Sequence, residues 1–310
     1  NPEYIMTRQY AASSWDYQDM TRYTSMRPNQ LGGWSSVTPT QNLVDAYWGV
    51  DGHSVPQLPT PEERAKAYNQ IKADLDAYQK PEGEAKFIAF CQEKIKNGTL
   101  KDYKYIQEFR NRDSRMYVSI LMPFKSWYES NYGDKFVYEW IKNGNNESKT
   151  GFNFRKMLSL ENDANGDGQA TGDYPCIRYA EILLIYAEAH TQTTGYDAAT
   201  EAALNQLRDR CGMPDVPSGL SKEEGLKLIQ NERRLEFTFE NHRYFDMRRW
   251  VLPLNEEVEG VAVTRNEDGT FSFKVQKVEQ RKYEVKNYFM PLPYAELEKN
   301  KNLMNNQGWE

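Results

Sequence analysis

Twenty consecutive residues, NERRLEFTFENHRYFDMRRW (231–250), combine five arginines, four acids and five aromatic residues. Two of the acids, Glu236 and Glu240, are four residues apart and would share one face of a helix. Two carboxylates can act as general acid and general base if they face a cleft and their pKa values differ widely. The neighbouring arginines would instead keep both carboxylates ionised. We therefore interpret the segment as an internal ion-pair network, and acid–base catalysis is the alternative.

The same segment places charged residues on the apolar side of its helix. At roughly 100° per residue, Glu232, Arg233, Glu236 and Glu240 share an arc with the leucine and phenylalanine side chains. A buried charge without a partner is costly. We therefore expect Arg233 to be held by Glu236, Glu240 and loop carbonyl groups, and we expect the network to seat loops on the helix.

A second stretch could bind a ligand through aromatic rings. The segment SSWDYQDMTRYTSMRPNQLGGWSS (13–36) places rings among amide and charged side chains, and a smaller group follows in KSWYESNYG (125–133). Flat aromatic faces suit the apolar sides of sugar rings, while polar groups at the edge bind hydroxyls. The alternative is that these rings cover the helical layer. The candidate ligand-binding residues are Trp15, Tyr17, Tyr23, Trp34, Trp127 and Tyr128.

A third stretch, DANGDGQATGDY (163–174), resembles the first half of a calcium-binding loop. Oxygen-bearing side chains alternate before Gly168, which permits a sharp turn. The twelfth position is Tyr174, where such a loop needs a bidentate glutamate. The segment is a candidate Ca²⁺ site, and a turn without an ion is the alternative. Its candidate ligands are Asp163, Asn165, Asp167, Thr171 and Asp173.

Composition excludes several other classes of function. The formal charge is −6 with both signs mixed along the chain, so no basic face is available for nucleic acid. The three cysteines are far apart in sequence and do not form a zinc or redox motif. The sequence also lacks a Gly-x-Ser-x-Gly, Walker or His-Glu-x-x-His motif and an apolar run of roughly 20 residues. No cofactor is therefore required by the sequence.

Periodicity predicts a mainly α fold with long loops and a small β-hairpin. Residues 1–60 show no period and are expected to be ordered loop. Residues 176–192 and 198–212 predict a helical hairpin. The capping box of Ser221 and Glu224 predicts a third helix that continues through residues 231–250. Alternation on both sides of Asp268-Gly269 predicts a β-hairpin.

Five segments in this order resemble the SusD/RagB family. They are PTQNLVDAY followed by DG (39–52), IRYAEILLIYAEA, LNQLRDRCG, IQNERRLEFTFENHRYFDMRRW and YFMPLPYAELEKNKNLMNNQGW. The resemblance implies one SusD/RagB-like domain over residues 1–310, in which 176–212 is a tetratricopeptide-like helix pair. It also implies that the family's amino-terminal part, with its signal peptide and lipidated cysteine, lies outside this chain.

The resemblance further implies a lipid-anchored protein on the outer-membrane surface of Bacteroidetes-type bacteria. Such a protein binds a nutrient, usually a glycan, and delivers it to a TonB-dependent transporter of the SusC/RagA type without catalysis. Two rivals stay open at this stage. A glycoside hydrolase with a helical fold would need two carboxylates in one cleft, and a helical-repeat scaffold would use its aromatic loops as a protein interface.

Overall fold

The computed structural model describes residues 2–10, 34–55, 57–66, 69–70, 109, 111–121, 148–157, 172–267 and 271–309. Its helices are α1 (Gln41–Ala46), α2 (Ser114–Ser119), α3 (Tyr179–Thr193), α4 (Ala198–Cys211), α5 (Lys222–Glu236), α6 (His242–Arg249) and α7 (Tyr294–Lys299), with a 3-10 helix at Val285–Tyr288. Residues 61–66 are also helical. Its strands are β1 (Tyr4–Arg8), β2 (Ile120–Leu121), β3 (Asn153–Phe154), β4 (Tyr174–Arg178), β5 (Glu257–Arg265) and β6 (Phe271–Gln280). The strands form antiparallel pairs β1–β4, β2–β3 and β5–β6. The predicted mainly α class with small sheets is confirmed.

The centre of the fold is the hairpin of α3 and α4, against which α5 packs. Asp197 caps α4 by accepting hydrogen bonds from the backbone of Ala199 and Thr200. Gly212 ends that helix with a φ of 65°, a conformation that glycine adopts without steric cost. Small and branched side chains of the three helices interlock in one apolar core, which includes Ala180, Leu184, Ala187, Ala203, Leu204, Leu207, Leu228 and Ile229.

The start of the helical hairpin and the structure of residues 1–60 both differ from the prediction. Residues 174–178 form β4, and the helix begins only at Tyr179, because β1 pairs with this stretch along its length. The expectation that residues 1–60 are loop alone was wrong for the same reason, since they contain β1 and also α1. Helix α1 begins where the side chain of Thr40 accepts a hydrogen bond from the backbone of Leu43.

The third helix begins as predicted and ends early. The reciprocal capping box of Ser221 and Glu224 is present. However, α5 ends at Glu236, and a turn with positive φ at Phe239 (65°) and Asn241 (64°) leads into α6. Side-chain donors replace the missing helical bonds there, because Lys156 Nζ and Arg178 Nη2 each donate to the carbonyl of Glu236 at 3.0 Å.

The predicted β-hairpin is confirmed in its two strands. Strands β5 and β6 pair from Glu257–Gln280 to Arg265–Phe271, while residues 268–270 lie outside the described part. The hairpin contacts α1, where the side-chain oxygen of Asn42 accepts a hydrogen bond from the backbone of Glu259 at 3.0 Å. Within the described ranges, no helix is long and apolar enough to cross a bilayer.

Candidate functional site

Glu232, in the interior of α5, binds arginines from two other helices. Its carboxylate accepts hydrogen bonds from Arg208 Nη2 at 2.5 Å and from Arg115 Nη1 at 2.8 Å. Arg208 also donates to the carbonyl of Gly52 at 2.8 Å, and Asp113 holds the other edge of Arg115 through bonds of 3.0 and 2.6 Å. All four charged side chains are buried. This set ties α2, α4, α5 and the loop at Gly52 together.

Glu236 and Glu240 form the second part of the same network. Arg178, the last residue of β4, donates to both of them, to Glu236 Oε1 at 2.6 Å and to Glu240 Oε2 at 2.8 Å. Arg210 Nη2 binds Glu236 Oε1 at 2.5 Å, and Lys156 Nζ binds Glu240 Oε1 at 2.5 Å. Each carboxylate is therefore matched by cationic groups.

These charges determine the protonation state of Glu236. Burial alone would raise its pKa, but the guanidinium groups of Arg178, Arg210 and Arg115 outweigh burial and lower the pKa to about 2. The carboxyl group is therefore ionised at neutral pH. A glycosidase acid needs a raised pKa so that it can donate a proton. The geometry thus favours the ion-pair interpretation of the segment over acid–base catalysis.

Arg233 has a different partner from the one that the sequence suggested. Its Nε donates to both carboxylate oxygens of Asp246 on α6, at 2.9 and 2.8 Å. The expectation that Glu236 and Glu240 hold Arg233 was wrong. The helix ends at Glu236 and α6 folds back, so Asp246 reaches Arg233, while β4 supplies Arg178 to the two glutamates.

Sequence reasoning missed the cations that complete the network. Arg178 stands inside the apolar run CIRYAEILL, and Arg208 and Arg210 stand in LRDRCG on α4. A single arginine within an apolar run is costly unless a carboxylate meets it. Arg178 within its apolar run was therefore a sequence signal for a buried carboxylate partner, although it does not indicate which carboxylate that partner is.

A cleft of about 930 Å³ opens beside this network, next to β1 and the end of α4. Glu236 and Glu240 border it with only 4% and 5% of their surfaces exposed, and Arg233 is not among its lining residues. The cleft contains equal numbers of cationic and anionic side chains, namely Arg115, Lys156, Arg178 and Arg210 with Glu3, Asp173, Glu236 and Glu240. Most of the charged side chains that line the cleft therefore belong to the ion-pair network.

Of the aromatic candidates, Trp34 lies in the described part. Its side chain is 40% exposed. The next residue, Ser35, is buried and accepts a hydrogen bond from Asn153 Nδ2 at 3.1 Å, so the backbone is anchored beside an indole that is open to solvent. The remaining candidates, Trp15, Tyr17, Tyr23, Trp127 and Tyr128, lie outside the described residues, and their place beside Trp34 stays a prediction.

The calcium candidates are described at one position. Asp173 is exposed at the rim of the cleft, while Asp163, Asn165, Asp167 and Thr171 lie outside the described residues. Among the residues that the structure describes, no group of three or more His, Cys, Asp and Glu side chains is placed to hold a metal ion. A Ca²⁺ ion in this loop stays a prediction.

Comparison with known proteins decides the family. The model of the SusD family matches residues 2–309, nearly the whole chain. The chain belongs to the SusD family. The five motifs that carried the resemblance therefore belong to one continuous family match.

Solved SusD-like structures share this fold. One from Bacteroides fragilis superposes with a TM-score of 0.70 at 24% identity, covering 99% of this chain and 54% of its own. A SusD-like carbohydrate binding protein from the same species gives a TM-score of 0.64 at 22% identity, covering 98% and 55%. A curated relative, SusD-like protein P2 of Formosa agariphila, is 31% identical over 156 residues, which are 47% of this chain and 28% of the relative. This SusD-family chain thus spans about half the length of its solved relatives.

Proposed function

We propose that this protein binds a glycan at the cell surface and delivers it to a TonB-dependent transporter of the SusC type. The observation that carries the proposal is the SusD-family match over residues 2–309. A solved relative of the same fold is described as a carbohydrate binding protein, which supports the ligand class. The sequence adds a segment (13–36) rich in aromatic and polar residues, which is the chemistry that sugar binding needs.

The proposed binding surface is built on the segment that contains Trp34. An exposed indole beside an anchored backbone offers a rigid flat face, so little ordering cost accompanies ligand binding. Trp15, Tyr17 and Tyr23 would supply further rings from the same segment, and Trp127 with Tyr128 a second contact. Calcium bound by residues 163–173 would stabilise a neighbouring loop and take no part in chemistry.

The proposed location is the outer membrane surface, with attachment through a lipid anchor. The ligand is passed on unchanged, because the two carboxylates that could have supported hydrolysis are committed to Arg178, Arg210 and Lys156. Transfer to a SusC-like partner follows from the family alone and is tested separately, by co-purification from the native membrane.

A glycan array with the purified protein tests the binding site. We expect Trp34→Ala and Trp15→Ala to weaken binding by about tenfold or more, since stacking of one ring contributes roughly 1–3 kcal/mol in comparable aromatic platforms. Tyr294→Ala is the matched control, because Tyr294 is an exposed ring (74%) on α7. Equal binding by wild type, both tryptophan variants and the control would contradict the site.

Two further measurements separate the rival functions. Turnover of a bound glycan that is lost in Glu236→Gln would support a glycoside hydrolase. Retention of a soluble protein partner by wild type and not by Trp34→Ala would support a scaffold. We expect neither result.

A further inference from the structure

A separate cavity is lined in part by Phe237, whose ring also lies close to the ion-pair network. It encloses about 450 Å³, within the roughly 300–1,000 Å³ typical of small-ligand sites. The guanidinium carbons of Arg178 and Arg233 lie 4.6 and 5.0 Å from the centre of the Phe237 ring, which is also part of the cavity lining. The ring is therefore shared between the ion-pair network and this second cavity.

Three arginines line the cavity: Arg234 from α5, Arg243 from α6 and Arg281, which follows β6. Arg234 donates one hydrogen bond, to the carbonyl of Asn42 at 3.2 Å. Within the described residues, the side chains of Arg243 and Arg281 have neither a hydrogen bond nor an ion pair within 4 Å. Among the described lining residues Glu256 is the one carboxylate, so that cationic side chains outnumber anionic ones by three to one there.

The electrostatics of these arginines differ from those of the network. Burial lowers the pKa of Arg243 to about 10, and the charge of Arg234 acts in the same direction, while Glu256 and Asp246 act against it. Burial also lowers the pKa of Arg234, and Glu256 and Asp45 act in the opposite direction. The lining therefore carries more cationic than anionic side chains, and an anion would be stabilised there.

The other walls of the cavity suit a ring with polar substituents. Phe154 and Phe239 stack with their ring centres 4.2 Å apart, and both face the cavity, as do Tyr244 and Tyr283. Hydroxyl and amide groups complete the lining at Thr38, Thr40 and Asn241. Aromatic rings, hydrogen-bonding groups and a cluster of guanidinium groups therefore line one cavity.

We propose that this cavity binds the anionic substituent, a carboxylate or a sulfate, of an acidic sugar unit. Guanidinium groups recognise planar carboxylates and sulfate-like oxyanions through paired N–H donors, and the aromatic wall accepts the sugar ring. The proposal rests on the proposed glycan-binding function and names the ligand class. The segment that contains Trp34 continues directly into the lining at Thr38 and Thr40, which joins this cavity to the proposed binding surface.

Calorimetric titration at low salt tests the proposal with three probes. They are trigalacturonate, its methyl ester, which is neutral, and a sulfated galactose oligosaccharide. We expect trigalacturonate or the sulfated probe to bind at least tenfold more tightly than the methyl ester. We expect Arg281→Gln and Arg243→Gln each to remove about tenfold of that affinity and to weaken binding of the methyl ester by less than that.

Lys282→Gln is the matched control. Lys282 is exposed, adjacent to Arg281 and outside the cavity lining, so the variant loses the same charge without altering the cavity. Arg281→Gln changes a residue outside the helices, which preserves the test if Arg243→Gln fails to fold. An equal loss in Lys282→Gln would reveal nonspecific attraction and overturn the proposal.

The outcomes also separate this inference from the proposed function. Binding of neutral glycans that depends on Trp34, with no preference for the acidic probes, would overturn the anionic site alone. Failure of every neutral and acidic glycan to bind would overturn both. Preference for an acidic probe that is lost in Arg281→Gln supports both, and the uronate and sulfate probes then identify which anionic group the cavity recognises.

Discussion

Arg233 and Arg234 are consecutive residues of α5, but Arg233 belongs to the ion-pair network and Arg234 to the arginine-lined cavity. The charges are balanced in the network, whereas arginines are in excess in the cavity. Arg233 lies on the side where Asp246, Glu232 and Glu236 form ion pairs with Arg233, Arg115 and Arg178 respectively. Arg234 lies on the side where three arginines share Glu256 as the lining carboxylate. The two clusters therefore contain the same residue types and differ in their ratio of carboxylates to arginines.

The largest expected effect on stability comes from removing Glu232, at the centre of the ion-pair network. Glu232→Ala leaves Arg115 and Arg208 buried without their shared carboxylate. We expect the free energy of unfolding to fall by about 3–5 kcal/mol, the usual result of removing one partner of a buried ion pair. Urea unfolding measures this change. Glu298→Ala, at an exposed position of α7, should change the free energy of unfolding by less than about 0.5 kcal/mol. A similar small change in Glu232→Ala would contradict a structural role for the network.

The pH dependence of unfolding examines the same cluster without removing atoms. The pKa of Glu236 in the folded protein is lowered from its ordinary value of 4.5 to about 2. Its ion pairs therefore stabilise the fold fully above pH 4.5 and lose that contribution as the pH falls towards 2. The contribution is about 3 kcal/mol, since each pKa unit corresponds to roughly 1.4 kcal/mol.

The experiment that tests this compares the free energy of unfolding of wild type with that of Glu236→Gln as the pH is lowered. Wild type should be more stable at pH 6, and the difference in unfolding free energy between the two proteins should shrink between pH 4.5 and pH 2.5. A difference that is constant over this range would show that Glu236 is not held ionised by its arginines.

A smaller effect is expected at Gly52, where the backbone meets the paired cluster. Gly52 has a φ of 79°, its carbonyl accepts from Arg208, and an added Cβ would lie 2.7 Å from Arg208 Nη1. We expect Gly52→Ala to cost about 1–3 kcal/mol through close contact and backbone strain together. Gly219→Ala separates the two causes, because Gly219 has a φ of 72° and no atom within 4 Å of the new Cβ. Equal costs in both variants would assign the whole effect to the backbone.

The sequence predicted what depends on neighbours along the chain. The α3–α4 hairpin, the capping box at Ser221 and the strands on both sides of residues 268–270 follow from periodicity, capping and turn chemistry, and all are present. The burial of Glu232, Arg233, Glu236 and Glu240 was also predicted, because the helical arc places them with the apolar side chains.

The sequence did not predict what depends on distant segments. Strand β4 replaced the first turn of a helix because β1, more than 160 residues earlier in the chain, pairs with it. The partner of Arg233 was assigned wrongly, since the turn at Phe239 brings Asp246 into reach. The cavity lined by Arg243 and Arg281 gave no sequence signal. The two residues are far apart in the chain, and the β5–β6 hairpin between them brings them to the same cavity.

The smallest expected effect on stability is at the arginine-lined cavity. It gives the clearest contrast with the ion-pair network. Arg281→Gln removes one of three mutually repelling charges and breaks no ion pair of a described residue, so we expect the free energy of unfolding to stay within about 0.5 kcal/mol of wild type or to rise slightly. Arg208→Gln is the counterpart in the paired cluster and should lose about 3 kcal/mol or more. Any gain in Arg281→Gln should disappear as sodium chloride is raised from low salt to about 1 M, where the screening length falls to about 3 Å. A loss above about 2 kcal/mol would mean that Arg281 stabilises the fold as the paired arginines do, and the two clusters would then differ in position and not in kind.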